Sequence, residues 1–260
     1  MLRAAAPRER TRDGTIALVT LGAVASAAAL ADRSTFDIAA RETLAAGRGM
    51  ATLAVLILAL FGLIELIDRT GRVDREWTRK LGHVGAGSIA LLAPSLLRSH
   101  WPMLALTAGF AALLLGARYV NVLAPLHPKG RRGAGDLTYP AGLYAAFVLA
   151  GSNAVAFRIG VLVLALADPA ATLAGRRSGR GRFELFGTPR SRAGSAAFAV
   201  VAAVATATLL VGSGGAIAPS LARAAAVAAA TTVAEAISPS GLDNLTIPVV
   251  AVVALAVLAT

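Results

Sequence analysis

Residues 154–177 read AVAFRIGVLVLALADPAATLAGRR, an apolar run that meets one acid, Asp168, and stops at the pair Arg176-Arg177. The stretch 154–175 matches the roughly 17 to 25 residues a helix needs to cross the hydrocarbon of a bilayer. At 1.5 Å per residue, Asp168 would sit about 12 Å inside the basic end of that helix. A carboxylate at such depth is costly unless it is paired or binds a metal, which makes it either a tie that holds the bundle or part of a site. Pro169 removes a backbone donor and disfavours helical dihedrals at residue 168, so the span is expected to break there and open backbone groups to a cavity. If the helix resumes, Thr172 and Gly175 share the face of Asp168.

The rest of the chain repeats this character. Its 260 residues are 57% hydrophobic and 15% charged, with only 5% aromatic, against about 45–50% apolar residues in soluble domains. Mean hydropathy is +0.70. Apolar runs lie near 15–31, 50–67, 81–97, 101–122, 138–152, 154–175, 194–212, 216–236 and 245–260. Alternating ten-residue strands are not visible, so the expected fold is all-α, a polytopic transmembrane helical bundle of about eight or nine spans rather than a barrel. The first run also fits a cleaved signal peptide, and the short run 138–152 also fits a re-entrant segment. Ala, Val, Leu and Gly dominate, and small residues let membrane helices approach closely. The chain has no Cys, which excludes disulfides, thiolate catalysis and cysteine-bound metals.

The net charge of +11 points to nucleic acid only in a soluble protein; here the basic residues fall in short loops, where they set orientation and attract anionic lipid headgroups. With the N-terminus inside, Arg3, Arg8, Arg10, Arg12, Arg69, Arg72, Arg75, Arg79, Lys80, Arg118, Lys129, Arg131, Arg132, Arg176, Arg177, Arg180, Arg182, Arg190 and Arg192 share the cytoplasmic side. Arg33, Arg41, Arg48 and Arg98, with Arg158 and Arg223 near span ends, lie opposite, an imbalance of roughly three to one that fixes the orientation.

Polar stretches gather at that same cytoplasmic end. Arg79, Lys80 and His83 fall within one turn, with Gly87 a turn further on; His83 can be a base, a phosphate donor or a structural histidine. His100 and His127 lack acids at metal-ligand spacing and read as surface residues. Arg176 and Arg177 offer guanidinium forks suited to phosphate oxygens, or serve only as a topology signal. Arg190, Ser191, Gly194 and Ser195 add hydroxyls and free backbone donors at a helix start. Glu235 closes one apolar run, and Asp243-Asn244 opens the next, as an N-cap or as ligands. Oxygens of Asp168, Glu235, Asp243 and Asn244 suit Mg²⁺, which is commonly held by one or two carboxylates, water and substrate phosphates. There is no Walker loop, protein-kinase signature, Gly-x-Ser-x-Gly elbow or His-Glu-x-x-His.

Taken in order, Arg79-Lys80 with His83, Gly135-Asp136 with Tyr139-Pro140, Asp168-Pro169-Ala170-Ala171 with Gly175-Arg176-Arg177, Ser191 with Gly194-Ser195, Glu235, and Asp243 to Pro248 resemble the membrane-embedded polyprenol kinases, a family that includes dolichol kinase, phytol kinase and a CTP-dependent diacylglycerol kinase. The resemblance covers residue 75 to the end, leaving residues 1–50 as an accessory segment and 51–260 as the kinase-like domain. It implies transfer of the terminal phosphate of a nucleoside triphosphate, usually CTP, to a lipid hydroxyl such as that of phytol, geranylgeraniol or a polyprenol, with Mg²⁺. The chain departs from the family pattern at Arg190, where Lys is usual, at Ala193, where an acid is common, and at Leu242, where a second Asp precedes Asp243. On this reading Asp168, His83 and Lys80 are the expected catalytic residues. Arg79, Arg176, Arg177, Arg190, Ser191, Gly194 and Ser195 are expected to hold the nucleotide phosphates, and Asp168, Glu235, Asp243 and Asn244 the metal. Membrane lipids are the expected surroundings, no nucleic-acid partner is expected, and no oligomeric state follows. A cytidylyltransferase making a CDP-lipid and a small-solute or ion transporter are the alternatives; the first lacks its His-Gly-Gly and Asp-Arg-x-Asp signatures here, and the second calls for polar residues spread through the membrane's depth.

Overall fold

A computed structural model of the protein describes residues 40–127, 135–178, 181–185, 188–239 and 241–259. The first expected span, 15–31, lies outside the described residues, as do Lys129, Arg131, Arg132 and Arg180. The helices are α1 (Ala40–Thr70), α2 (Arg75–Ala90), the single turn α3 (Ala93–Leu96), α4 (His100–Tyr119), α5 (Gly135–Ala150), α6 (Ala154–Ser178), α7 (Arg192–Gly212), α8 (Ile217–Ile237) and α9 (Asp243–Val257). A short hairpin, β1 (Arg182–Leu185) and β2 (Thr188–Ser191), links α6 to α7.

Among the described residues five helices are long and apolar enough to cross a membrane: Gly47–Thr70 of α1, and α4, α6, α7 and α8. The protein is an integral membrane protein built mainly of helices. Two apolar helices are shorter, Leu137–Ala150 of α5, which is mostly buried, and Asp243–Val257 of α9, which buries one face and leaves Val253 and Val257 exposed. The expected eight or nine spans thus reduce to five of full length among the described residues. The run 81–97 is not one helix: α2 starts earlier, at Arg75, and stops at Ala90, and Pro94 opens the separate turn α3. The 138–152 run is helical from Gly135 and almost wholly buried.

Local chemistry sets several boundaries. Asp74 caps α2 by accepting from the Glu76 amide at 2.9 Å, and Ser99 caps α4 by accepting from Trp101, each satisfying a donor that the first helical turn leaves free. The strands pair antiparallel, Phe183 opposite Arg190 and Leu185 opposite Thr188. This hairpin departs from the all-α expectation. Its strands have four residues each, too short to show a strand period in a sequence.

Two expectations are overturned. Helix α6 is continuous from Ala154 to Ser178 with Pro169 inside it, so the span is not broken at Asp168. A proline costs the ladder a single bond, and helices inside a membrane bundle retain such residues because neighbouring groups re-satisfy the backbone. The carbonyl that Pro169 leaves without its helical donor is that of Ala165, and His83 bonds the adjacent Leu164 carbonyl. His100 is not a surface residue. It is 4% exposed, and its Nδ1 lies 3.1 Å from the Tyr144 hydroxyl. His127 is half-buried beside the turn at Ala124–Leu126.

The core surrounds α6, where Phe157, Ile159, Val161, Val163 and Leu164 are fully buried. Close approach depends on glycine. A methyl group on Gly87 would come within 2.5 Å of the Ala165 Cβ, and one on Gly160 within 2.9 Å of the Pro248 carbonyl oxygen. At the end away from the polar stretches, Arg158 ties α6 to the α2–α3 break through the Ser95 hydroxyl at 2.7 Å and the Leu91 carbonyl at 3.3 Å.

Candidate active site

Chain direction alternates so that the start of α2, the end of α6, the hairpin, the end of α8 and the starts of α5 and α9 meet at one end of the bundle. Lys80 on α2 donates from Nζ to Oδ2 of Asp168 on α6 at 2.8 Å. Lys80 is 5% exposed, so the pair is held away from water, and neither charge is tolerable there without the other. His83, one turn along α2, has Nε2 3.1 Å from the Leu164 carbonyl and 3.9 Å from the same Asp168 oxygen. A carbonyl only accepts, so Nε2 carries a proton and Nδ1 is the nitrogen left to accept one in the neutral ring. Tyr139 of α5 packs edge-on to His83, ring centroids 4.7 Å apart, and its hydroxyl donates to the His83 carbonyl at 3.0 Å. Gly87 makes room for that hydroxyl, since a Cβ there would lie 3.2 Å from it.

Arg79 does not share a partner with His83. Its Nη2 donates to Glu76 at 2.5 Å, and Arg176 Nη2 lies 3.7 Å from the same Glu76 oxygen. Two of the expected phosphate-binding arginines therefore converge on one carboxylate at the rim. Arg176 and Arg177 are exposed.

Arg190 projects from β2 against α8 and α9. Its guanidinium bonds the Glu235 carboxylate, the Glu235 carbonyl at 2.6 Å and the Ser238 carbonyl at 3.1 Å, and its Nη2 is 3.7 Å from Asp243 Oδ2. Glu235 is 3% exposed, and among the described residues its second oxygen has no hydrogen-bond partner. Asp243 accepts the amide of Asn244 at 3.0 Å, and the Asn244 side-chain nitrogen donates to the Gly135 carbonyl at 2.9 Å. Ser191 is the N-cap of α7, accepting from Gly194 at 3.0 Å. Gly175 and Gly194 close the seam between α6 and α7: a Cβ on Gly175 would fall 2.7 Å from the Ser191 hydroxyl, and one on Gly194 2.9 Å from the Ala171 carbonyl. Ser195 follows, half-buried.

The four expected metal-binding residues are thus drawn to one end but not to one point. Among the described residues no three His, Asp or Glu side chains form a ready cage. Asp168 and Asp243 repel one another across the site, and each side chain is 16% exposed, which leaves both open to a ligand. Two partly open carboxylates whose charges oppose each other fit the one or two that Mg²⁺ commonly takes from a protein. Glu235 is committed to Arg190, and the Asn244 amide to α5. Glu76 carries no expectation from the sequence, and Tyr139 is part of a quoted motif without an assigned role. Glu76 precedes the Arg79-Lys80 pair by one turn, the spacing of an ion pair; Tyr139 lies in a motif whose contact with His83 is non-local and leaves no periodic trace.

The fold and the site together define a helical integral membrane protein with a buried Lys–Asp pair, a histidine beside it and an arginine-rich rim at one end of the bundle. No family model matches the chain, and no solved structure does. Phytol kinase of Synechocystis sp. is 33% identical to it over 187 residues, 71% of this chain and 80% of the relative. The chain belongs to the membrane-embedded polyprenol kinase family, to which phytol kinase is assigned, and it is a kinase. This similarity favours neither the cytidylyltransferase nor the transporter alternative.

Proposed function

We propose that the protein transfers the terminal phosphate of CTP to the hydroxyl of an isoprenoid lipid alcohol, such as phytol, geranylgeraniol or a polyprenol, at the cytoplasmic face of the membrane. The observation that carries this reading is the Lys80–Asp168 pair with His83 at 3.9 Å. It brings a cation, a carboxylate and a proton acceptor together where a water-borne nucleotide and a bilayer-borne alcohol can both arrive. The similarity to phytol kinase supports the alcohol as acceptor.

In the transfer, the alcohol oxygen forms a bond to the terminal phosphorus while the bridging bond to the nucleoside diphosphate breaks. The alcohol proton goes to Nδ1 of His83, whose Nε2–H is anchored on the Leu164 carbonyl. That anchor fixes tautomer and ring orientation together, as a general base requires. Lys80 holds Asp168 in place, and Arg79 and Arg176, now bridged by Glu76, are near enough to turn toward phosphate oxygens. Mg²⁺, held by Asp168 and Asp243, would neutralise charge on the triphosphate. Enclosing the acceptor hydroxyl in the bundle keeps water from competing for the phosphoryl group.

The test is transfer from γ-labelled CTP, with ATP alongside, to phytol, geranylgeraniol, a long polyprenol and diacylglycerol presented in detergent. Label in an isoprenoid alcohol, dependent on Mg²⁺ and on Asp168, is the expected result. A CDP-lipid with release of pyrophosphate would replace the reading with nucleotidyl transfer.

A further inference from the structure

Helices α5 and α9 open with the same chemistry. Asp136-Leu137-Thr138-Tyr139-Pro140 and Asn244-Leu245-Thr246-Ile247-Pro248 align residue for residue, an acid or its amide, Leu, Thr, a large apolar side chain and Pro. Both helices start at the site end and pack on one another, and the contacts between their first turns are reciprocal. Thr138 of α5 donates its hydroxyl to the Gly241 carbonyl just before α9, and Asn244 of α9 donates its amide to the Gly135 carbonyl at the start of α5. Thr246 takes the matching place on α9, where its hydroxyl meets that of Ser238 at 2.6 Å.

The seam is tight enough to act as a rigid unit. Pro248 has no N–H, so the Asn244 carbonyl lacks its helical partner, and Gly142 of α5 packs against that carbonyl so closely that a Cβ would overlap it. Gly241 has φ +92°, a conformation that favours glycine, and its carbonyl is thereby turned toward Thr138. Gly241 and Asn244 flank Asp243 in the chain. Among the described residues Asp243 has only the local bond to the Asn244 amide and the 3.7 Å approach of Arg190, and the backbone on either side of it is held by α5.

We propose that Thr138 and Asn244 form a clasp that sets the position of Asp243 opposite Asp168, making Thr138 a positioning residue for the phosphoryl transfer proposed above, on which this inference rests. Thr138 is fully buried between α5 and the start of α9. It acts through Asp243.

The experiment uses the full-length protein in detergent, with Thr138→Val, Thr138→Ser, Asn244→Ser, Asp243→Asn and the double variant Thr138→Val/Asp243→Asn. Transfer rate is followed against Mg²⁺ and nucleotide, Mn²⁺ binding without nucleotide is read by electron paramagnetic resonance, and thermal unfolding reports folding. The clasp predicts that Thr138→Val lowers kcat about tenfold, as loss of a group supporting a metal ligand commonly does, and weakens Mn²⁺ binding, with nucleotide KM unchanged. Thr138→Ser keeps the hydroxyl and restores both. Adding Thr138→Val to Asp243→Asn changes nothing further. Independent, multiplying effects in the double variant, or a wild-type rate in Thr138→Val, overturns the inference while leaving the kinase reading intact. Should Thr138→Val fail to fold, Asn244→Ser cuts the other half of the clasp and must show the same pattern. If the wild type transfers no phosphate, the kinase reading fails, and the Mn²⁺ comparison still decides whether Thr138 positions Asp243.

Discussion

The site end of the bundle holds two buried cation–carboxylate pairs, and they are built differently. Lys80 meets Asp168 through one bond, and Asp168 keeps a second neighbour in His83 and 16% of its side chain open. Arg190 meets Glu235 with its guanidinium also bound to two backbone carbonyls, and Glu235 keeps 4% of its side chain open. A point charge with one partner leaves that partner available for chemistry, whereas a planar fork committed to carboxylate and carbonyls joins segments. On the proposed reading the first pair belongs to the reacting centre, while the second fastens the hairpin to the α8–α9 turn.

The sharpest way to separate them is to delete each pair whole. Asp168→Asn is expected to lower phosphate transfer by on the order of 10³-fold, the scale of losing a principal electrostatic element of an active site. It should also destabilise by about 3–5 kcal/mol, because Lys80 is left buried and alone. The double variant Lys80→Met/Asp168→Asn should regain most of the stability and none of the activity, as read by thermal unfolding beside the labelled assay. The corresponding Arg190→Met/Glu235→Gln should not regain stability, since the carbonyls of Glu235 and Ser238 lose their donor as well. Recovery in the second pair would mean that the two are alike after all.

His83→Gln sharpens the first region further. Glutamine can still donate to the Leu164 carbonyl but offers no basic nitrogen. Transfer should fall by about 10²-fold or more with the unfolding temperature nearly unchanged. An unaltered rate would remove His83 as proton acceptor and leave it a packing residue against Tyr139.

The contrast also shows what could be read from residues alone. Membrane class and helical build follow from local facts, apolar length and basic loops, and a charge at depth singles out Asp168 as a candidate. That Lys80 rather than an arginine neutralises Asp168 does not, because the two lie 88 positions apart and meet only through packing of α2 on α6. Arg190 and Glu235 were expected to bind phosphate and metal; each is a fit choice by charge, and the structure joins them to each other across 45 positions. Pro169 misled for a related reason: the rule against helical prolines concerns an isolated helix, and α6 is enclosed. His100 was misplaced because its partner Tyr144 stands on another helix.

At the rim the expected effects are smallest, and there the two arginines of α6 can be set against each other. Arg176 lies 3.7 Å from Glu76 with 57% of its side chain exposed, and an exposed pair of this kind contributes about 0–1 kcal/mol. Arg176→Ala should therefore leave the unfolding temperature within error. Its guanidinium faces the same carboxylate as Arg79, on the side from which a nucleotide would come, so the nucleotide KM should rise by about fivefold, the effect of about 1 kcal/mol of charge-assisted hydrogen bonding. Arg177 is exposed one residue further on, a position rotated by about 100° on the helix. Arg177→Ala should shift KM less than Arg176→Ala, and equal shifts would show that the rim attracts the nucleotide by total charge rather than through a placed guanidinium.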